Sequence, residues 1–128
     1  MAQGKILVID DEEIICDFFE EVLSEAGYEV DTTSTGAEAL EKIKSEKYGV
    51  IFVDHGLPDT DSGQLCKEMK KISPQSVPVF MTGRLRGKEL VNNELTFSQA
   101  GGRLYQLYKP FSKEEILEAT KKALLSGT

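Results

Sequence analysis

An α/β fold built on a doubly wound parallel sheet is the class this sequence predicts, and three observations carry that prediction. Short apolar runs alternate with amphipathic stretches along all 128 residues. The first run, Ile6-Leu7-Val8-Ile9, is apolar throughout, as in strands covered on both faces. The runs also end abruptly in polar residues, most plainly at Asp10 and Asp11 and again at Asp54. Strand–helix alternation of this kind implies parallel strands joined by crossovers, with helices on both sides of the sheet.

The elements follow in order. After the first strand, Ile15, Phe18, Phe19, Val22, Leu23 and Ala26 recur at helical spacing, and Gly27 supplies the stop. "YEVDTT" is a second, more polar strand, placed near a sheet edge. "STGAEALEKIKSEKY" gives a short helix with Ala39, Leu40 and Ile43 inward, and "GVIFVD" a third strand ending in Asp54. "HGLPDTDSG" reads as a loop, with Pro58 and Asp59 as loop formers and Asp61 as the cap of the next helix, "QLCKEMKKI". "VPVFMTG" is a fourth strand and "LYQLY" a fifth. "SKEEILEATKKALL" closes the chain as a helix, with Ser112 and Glu115 at capping-box spacing. The alternation is irregular in one place. From Arg84 to Gln106 only scattered apolar residues appear, broken by Asn92, Asn93 and three glycines, so the fourth helix region is expected to be irregular.

Bulk properties narrow the function. The length suits one domain, 1–128, with a real core. A net charge of −7 argues against a direct nucleic-acid surface. No apolar run is long enough to span a bilayer and no signal peptide opens the chain, so the expected location is cytoplasmic, with no membrane contact. Cys16 and Cys66 form no CxxC pair and fall in helical stretches, as packed thiols do. His55 is the one histidine, which excludes clusters built on several.

Asp10 and Asp11 alone could be helix-capping acids, since carboxylates suit a helix N-terminus. The rest of the chain decides otherwise. Parallel strands joined by right-handed crossovers put all their carboxyl ends on one edge, where ligands bind in such sheets. Asp10, Asp11, Asp54, Thr82 and Lys109 all stand at strand ends, so all five meet at that edge. Clustered carboxylates repel, so either some of their pKa values rise or a cation lies among them, and an all-oxygen donor set suits Mg²⁺. A cation beside a free carboxylate is what phosphoryl transfer onto an aspartate requires, with a lysine and a hydroxyl holding the other phosphoryl oxygens.

With those residues in view, the sequence resembles the receiver domain of two-component response regulators, of the chemotaxis-receiver type. The motifs are the acid pair in "VIDDEE", the central "VDHGLPDTD", "MTG" after strand four and "KPF" after strand five. The resemblance spans essentially the whole chain. It implies a five-stranded parallel sheet of order 2-1-3-4-5 in a flavodoxin-like three-layer sandwich, an order that chemotaxis receivers share with flavodoxins. It implies Asp54 as the phosphoacceptor and Mg²⁺ as cofactor. Asp11 and Asp54 would bind the metal directly, Gly56 through its backbone carbonyl and Asp10 through a water. Thr82 would be the switch hydroxyl, with Gly83 the small residue beside it. Lys109 would bind the phosphoryl group, aimed by a cis peptide at Pro110. The chain would be a regulatory phosphoacceptor that catalyses only its own phosphorylation and dephosphorylation, rather than an enzyme. Its partners would be a sensor histidine kinase or histidine phosphotransfer protein, and a downstream protein meeting region 84–108. A homodimer is compatible with the resemblance.

Three rival functions compete with this one. A degenerate receiver acting as a phosphorylation-independent binding module is opposed by the intact set of five edge residues. A haloacid-dehalogenase-type phosphatase needs a second aspartate where Gly56 stands, and a flavodoxin needs a hydroxyl- and glycine-rich loop where Asp10 and Asp11 stand. Three departures from the family pattern stand out. The stretch between Thr82 and Lys109 is long and carries the basic residues Arg84, Arg86 and Lys88, which fit either a variable surface loop or a partner surface. Ser62 replaces the usual glycine. Gln106 occupies the place of the switch aromatic, while Tyr105 would point the other way in a regular strand. A signal from Thr82 is therefore expected to travel through 84–103. No output domain follows the last helix, so a stand-alone receiver or one cut from a longer protein is expected.

Overall fold

The computed structural model describes residues 5–54, 56–82, 103–108 and 111–126. The strands are β1 (Lys5–Ile9), β2 (Glu29–Thr33), β3 (Val50–Asp54), β4 (Val77–Thr82) and β5 (Arg103–Tyr108). The helices are α1 (Glu13–Glu25), α2 (Gly36–Ser45), α3 (Ser62–Ile72) and a C-terminal helix, Lys113–Ser126. All strand pairs are parallel, in the order β2-β1-β3-β4-β5. This is the doubly wound sheet read from the alternation, in the strand order the resemblance implied. The polar strand β2 lies at an edge, as expected, with only Thr33 fully buried.

The uninterrupted apolar runs are explained by the two layers they serve. Side chains alternate across a strand. Ile6, Val8, Val50, Phe52, Val79 and Met81 meet α1 and the C-terminal helix on one face. Leu7, Ile9, Ile51, Val53 and Phe80 meet α2 and α3 on the other. Phe19 of α1 anchors the first layer, with ring centroids 4.9 Å from Phe52 and 5.1 Å from Phe111 in tilted and edge-on contacts. Both cysteines are buried free thiols, and burial pushes the Cys66 thiol up to about 11.

Local signals are realised where the sequence placed them. Gly27, at φ 96°, adopts the left-handed conformation after α1. Asp61 caps α3 by accepting from the Gln64 N–H at 3.1 Å. Ser112 and Glu115 bond reciprocally, Glu115 N to Ser112 Oγ at 3.1 Å and Ser112 N to Glu115 Oε1 at 2.8 Å. Ser62 is buried, and its hydroxyl has no hydrogen-bond partner among the described residues. In the last strand pair Val79 aligns with Arg103 but Met81 with Leu107. The register of that pair therefore shifts between Val79 and Met81. The side chains of Tyr105 and Gln106, and segment 83–102, where an irregular helix region is expected, lie outside the described residues.

Away from the strand ends, Lys5, Asp31, Glu46 and Tyr48 form a polar network. The Lys5 ammonium pairs with Asp31 at 3.3 Å and with Glu46, and the Tyr48 hydroxyl donates to Asp31 Oδ2 at 2.7 Å. Burial alone would raise the Asp31 carboxyl, but the Tyr48 hydroxyl and the Lys5 charge outweigh it and hold it below the usual carboxylate value. Burial and the Asp31 charge together keep Tyr48 protonated. A lowered folded pKa contributes stability above the unfolded value, near 3.9, that is lost as pH falls through the folded value. Tyr48→Phe is expected to cost about 1 kcal/mol at neutral pH. That penalty should shrink below about pH 4 as Asp31 is protonated. Urea unfolding of both proteins at several pH values checks it.

Candidate functional site

β1 ends at Ile9 and hands the chain directly to Asp10, whose backbone N–H extends the β2 ladder by bonding to the Thr33 carbonyl at 3.1 Å. The Cys16 thiol donates to the Asp10 carbonyl at 3.3 Å, tying the strand end to α1. Asp54 is the last residue of β3, aligned with Met81. Because β1 and β3 are adjacent and parallel, their ends coincide, and carboxylate oxygens of Asp10, Asp11 and Asp54 all lie within 4.8 Å of one another. Asp10 and Asp54 are buried, while Asp11 is exposed. Asp10 and Asp11 also line a cleft of about 440 Å³ that continues past Thr33 to Glu38, so solvent reaches these two acids from the β2 side.

Neither acid of the pair is the N-cap of α1, but Asp10 orders the entry to that helix. Asp10 Oδ1 accepts from the Glu12 N–H at 2.9 Å, which turns the chain into α1. Glu12 is the N-cap residue of α1 but makes no side-chain cap bond, and Glu13 is the acid of its first turn. Asp10 thus orders the loop with one oxygen while its carboxylate also belongs to the cluster.

Two unit charges about 5 Å apart repel by roughly 3 kcal/mol at an effective dielectric of 20. Three such groups at one strand edge repel one another unless one is protonated or a cation lies among them, and the repulsion is weaker for the exposed Asp11. The donors are all hard oxygens, with no histidine or thiolate side chain among them, and one stays open to water. That set fits a small divalent cation that keeps part of its hydration shell.

The other predicted site residues divide into two groups. Thr82 ends β4 and aligns with Tyr108, so its backbone stands at the same sheet edge; its hydroxyl lies outside what the structure describes. Gly56 follows Asp54 by two positions in the loop to α3, and the neighbouring Leu57 is buried in the core beneath α2 and α3. Lys109, Pro110 and His55 lie outside the described residues. One residue read from sequence only as a loop former has a larger role. The Asp59 carboxylate accepts from the Gly36 N–H at 2.9 Å and the Ala37 N–H at 3.1 Å, joining the loop after Asp54 to the N-terminus of α2. No local sequence signal marks that bond, because its partners are more than twenty positions apart.

A parallel sheet of this order, with three carboxylates gathered at the carboxyl edge of its strands, is a flavodoxin-like doubly wound fold with a candidate cation site where such sheets bind their ligands. Comparison with known proteins agrees: the response regulator receiver domain family matches residues 6–121, and the chain belongs to it. Protein PilG of Pseudomonas aeruginosa is 37% identical over 129 residues, covering 97% of this chain and 90% of PilG. The alkaline phosphatase synthesis transcriptional regulatory protein PhoP of Bacillus subtilis is 36% identical over 94% of this chain but 48% of its own length. The chain thus spans about half the length of several curated relatives it matches. Among solved structures, a CheY-like receiver domain from Methanospirillum hungatei superposes with a TM-score of 0.88 at 28% identity, covering 96% of this chain and 94% of that one. The beryllofluoride-activated NtrC4 receiver domain dimer superposes at 0.86 with 35% identity, covering 97% of this chain and 98% of that one. The protein is a receiver domain of the two-component response regulators. None of its described helices is long and apolar enough to cross a membrane.

Proposed function

We propose that the chain, over 1–128, is one receiver that accepts a phosphoryl group on Asp54 from a histidine kinase or histidine phosphotransfer protein and then presents a changed surface to a downstream partner. The convergence of Asp10, Asp11 and Asp54 within 4.8 Å at the strand edge carries this reading. An Asp54 carboxylate oxygen attacks phosphorus, and its new P–O bond forms as the donor's P–N bond breaks. Asp11, Asp54 and the Gly56 carbonyl would hold Mg²⁺, and Asp10 would hold it through a water. When bound, Mg²⁺ neutralises phosphoryl oxygens and the repulsion among the acids. Burial keeps bulk water from Asp54, which suits a covalent product that must outlast the encounter with its donor. Thr82 and Lys109 would hold the remaining phosphoryl oxygens, and the chain would act as a regulatory protein rather than an enzyme on other substrates.

The remaining assignments follow from the family. The output surface would lie in 84–108, the cellular location would be cytoplasmic, and a homodimer is supported by the dimer in which the NtrC4 receiver was solved. The reading is tested by incubating the protein with Mg²⁺ and acetyl phosphate and measuring intact mass. One added phosphoryl group, absent when the metal is chelated, is expected. No mass change, with acetyl phosphate or with phosphorylated kinases, would favour the phosphorylation-independent binding module.

A further inference from the structure

We infer that Asp59 is a positioning residue for the metal half of this site, acting by fastening the loop that carries Gly56 to the N-terminus of α2. The inference rests on the proposed reading of Asp54, Asp11 and Gly56. Gly56 has no side chain to fix its own backbone, so the direction of its carbonyl depends on what holds the loop on either side. On the near side, Asp54 belongs to the sheet and Leu57 is buried against the core. On the far side, Asp61 is committed to capping α3. Between them Asp59 is the residue whose carboxylate reaches another helix, with one oxygen on Gly36 N and the other on Ala37 N.

Those bonds do more than terminate α2. Thr35 already caps that helix by accepting from Glu38 N at 3.2 Å, and Glu38 reaches back to the Ser34 N–H and hydroxyl. The contact is also close by construction: a Cβ placed on Gly36 would lie 2.5 Å from Thr60 Cγ2, so glycine there lets the loop seat against the helix. The Gly36 and Ala37 N–H groups hold the Asp59 carboxyl below its usual range, so the clasp is ionised at neutral pH. Groups that orient the ligands of a metal commonly change its affinity by 10–100-fold when removed.

The test compares Asp59→Ala with Thr35→Ala, which weakens the same helix end and leaves the clasp in place. The Mg²⁺ dissociation constant is read from the dependence of the thermal midpoint on Mg²⁺ concentration, and phosphoryl uptake from acetyl phosphate by intact mass. Asp59→Ala is expected to raise the Mg²⁺ Kd about tenfold, with saturating Mg²⁺ restoring most of the uptake rate. Thr35→Ala should lower the midpoint but leave Kd within about twofold of wild type. Asp59→Asn, which keeps one accepting oxygen, should fall between wild type and the alanine variant, and it remains readable should the alanine variant not fold. Asp59 variants with wild-type Kd, or an equal rise in Kd for Thr35→Ala, would overturn the inference. Wild-type protein that binds no Mg²⁺ would overturn the reading of the site itself, and the inference with it.

Discussion

Asp54→Asn is expected to abolish phosphoryl uptake while leaving the fold intact. The substitution replaces one carboxylate oxygen with an amide nitrogen of nearly the same size, so the buried end of β3 keeps its packing between β1 and β4. The chemistry is lost for two reasons. The amide is a far weaker nucleophile than a carboxylate, and it withdraws one negative charge from the set within 4.8 Å, weakening any cation held there. Within the described cluster neither other acid matches Asp54 as the proposed acceptor, because Asp10 is engaged with the Glu12 N–H and Asp11 is exposed. Intact mass after incubation with acetyl phosphate and Mg²⁺ should show a shift for wild type and none for the variant. The far-ultraviolet circular dichroism of the two should coincide. Labelling retained in Asp54→Asn would place the acceptor elsewhere.

Much of this architecture was legible because it depends on patterns local in sequence. Apolar runs such as Ile6–Ile9 mark strands buried on both faces, and Phe19, Val22 and Leu23 lie in the core at the helical spacing read for them. The meeting of Asp10 and Asp54 followed from topology, since adjacent parallel strands end together. The metal-sized cluster could therefore be anticipated before any distance was known. Asp61 and the Ser112–Glu115 pair were legible for a similar reason, as caps span only three positions. What escaped were contacts between elements far apart in the chain. Asp59 looks like any loop acid until α2 is placed beside it. Lys5, Asp31 and Tyr48 carry no motif, yet they form a network once β1 and β2 pair. The register shift beside Met81 is likewise invisible in "LYQLY", which alternates no differently from a regular strand. Asp10 teaches a subtler point. Ordering the entry to α1 and joining the acid cluster look like exclusive roles in the sequence, whereas two oxygens on one side chain allow both.

Mg²⁺ should stabilise the wild-type protein strongly, and Asp11→Ala should remove most of that effect. A ligand that binds only the folded state stabilises it by RT ln(1 + [L]/Kd), about 2.7 kcal/mol at a hundredfold excess over Kd. For a domain of this size that corresponds to a rise of roughly 10 °C in the thermal midpoint. The effect would arise because folding brings Asp54 to Asp10 and Asp11, far from it along the chain, so a cation would meet all three carboxylates together only in the native state. Asp11 is the exposed member and the one proposed to touch the metal directly. Its removal should therefore weaken Mg²⁺ binding more than Asp10→Ala, where only a water-mediated contact is lost. The metal-free proteins should differ in a second way. Asp11→Ala relieves repulsion, but by no more than about 1 kcal/mol because water screens an exposed charge. Asp10→Ala also deletes the acceptor of the Glu12 N–H and so loosens the entry to α1. Titrating Mg²⁺ against the thermal midpoint of all three proteins reads both effects. A Kd for Asp11→Ala equal to that of wild type would remove Asp11 from the metal set.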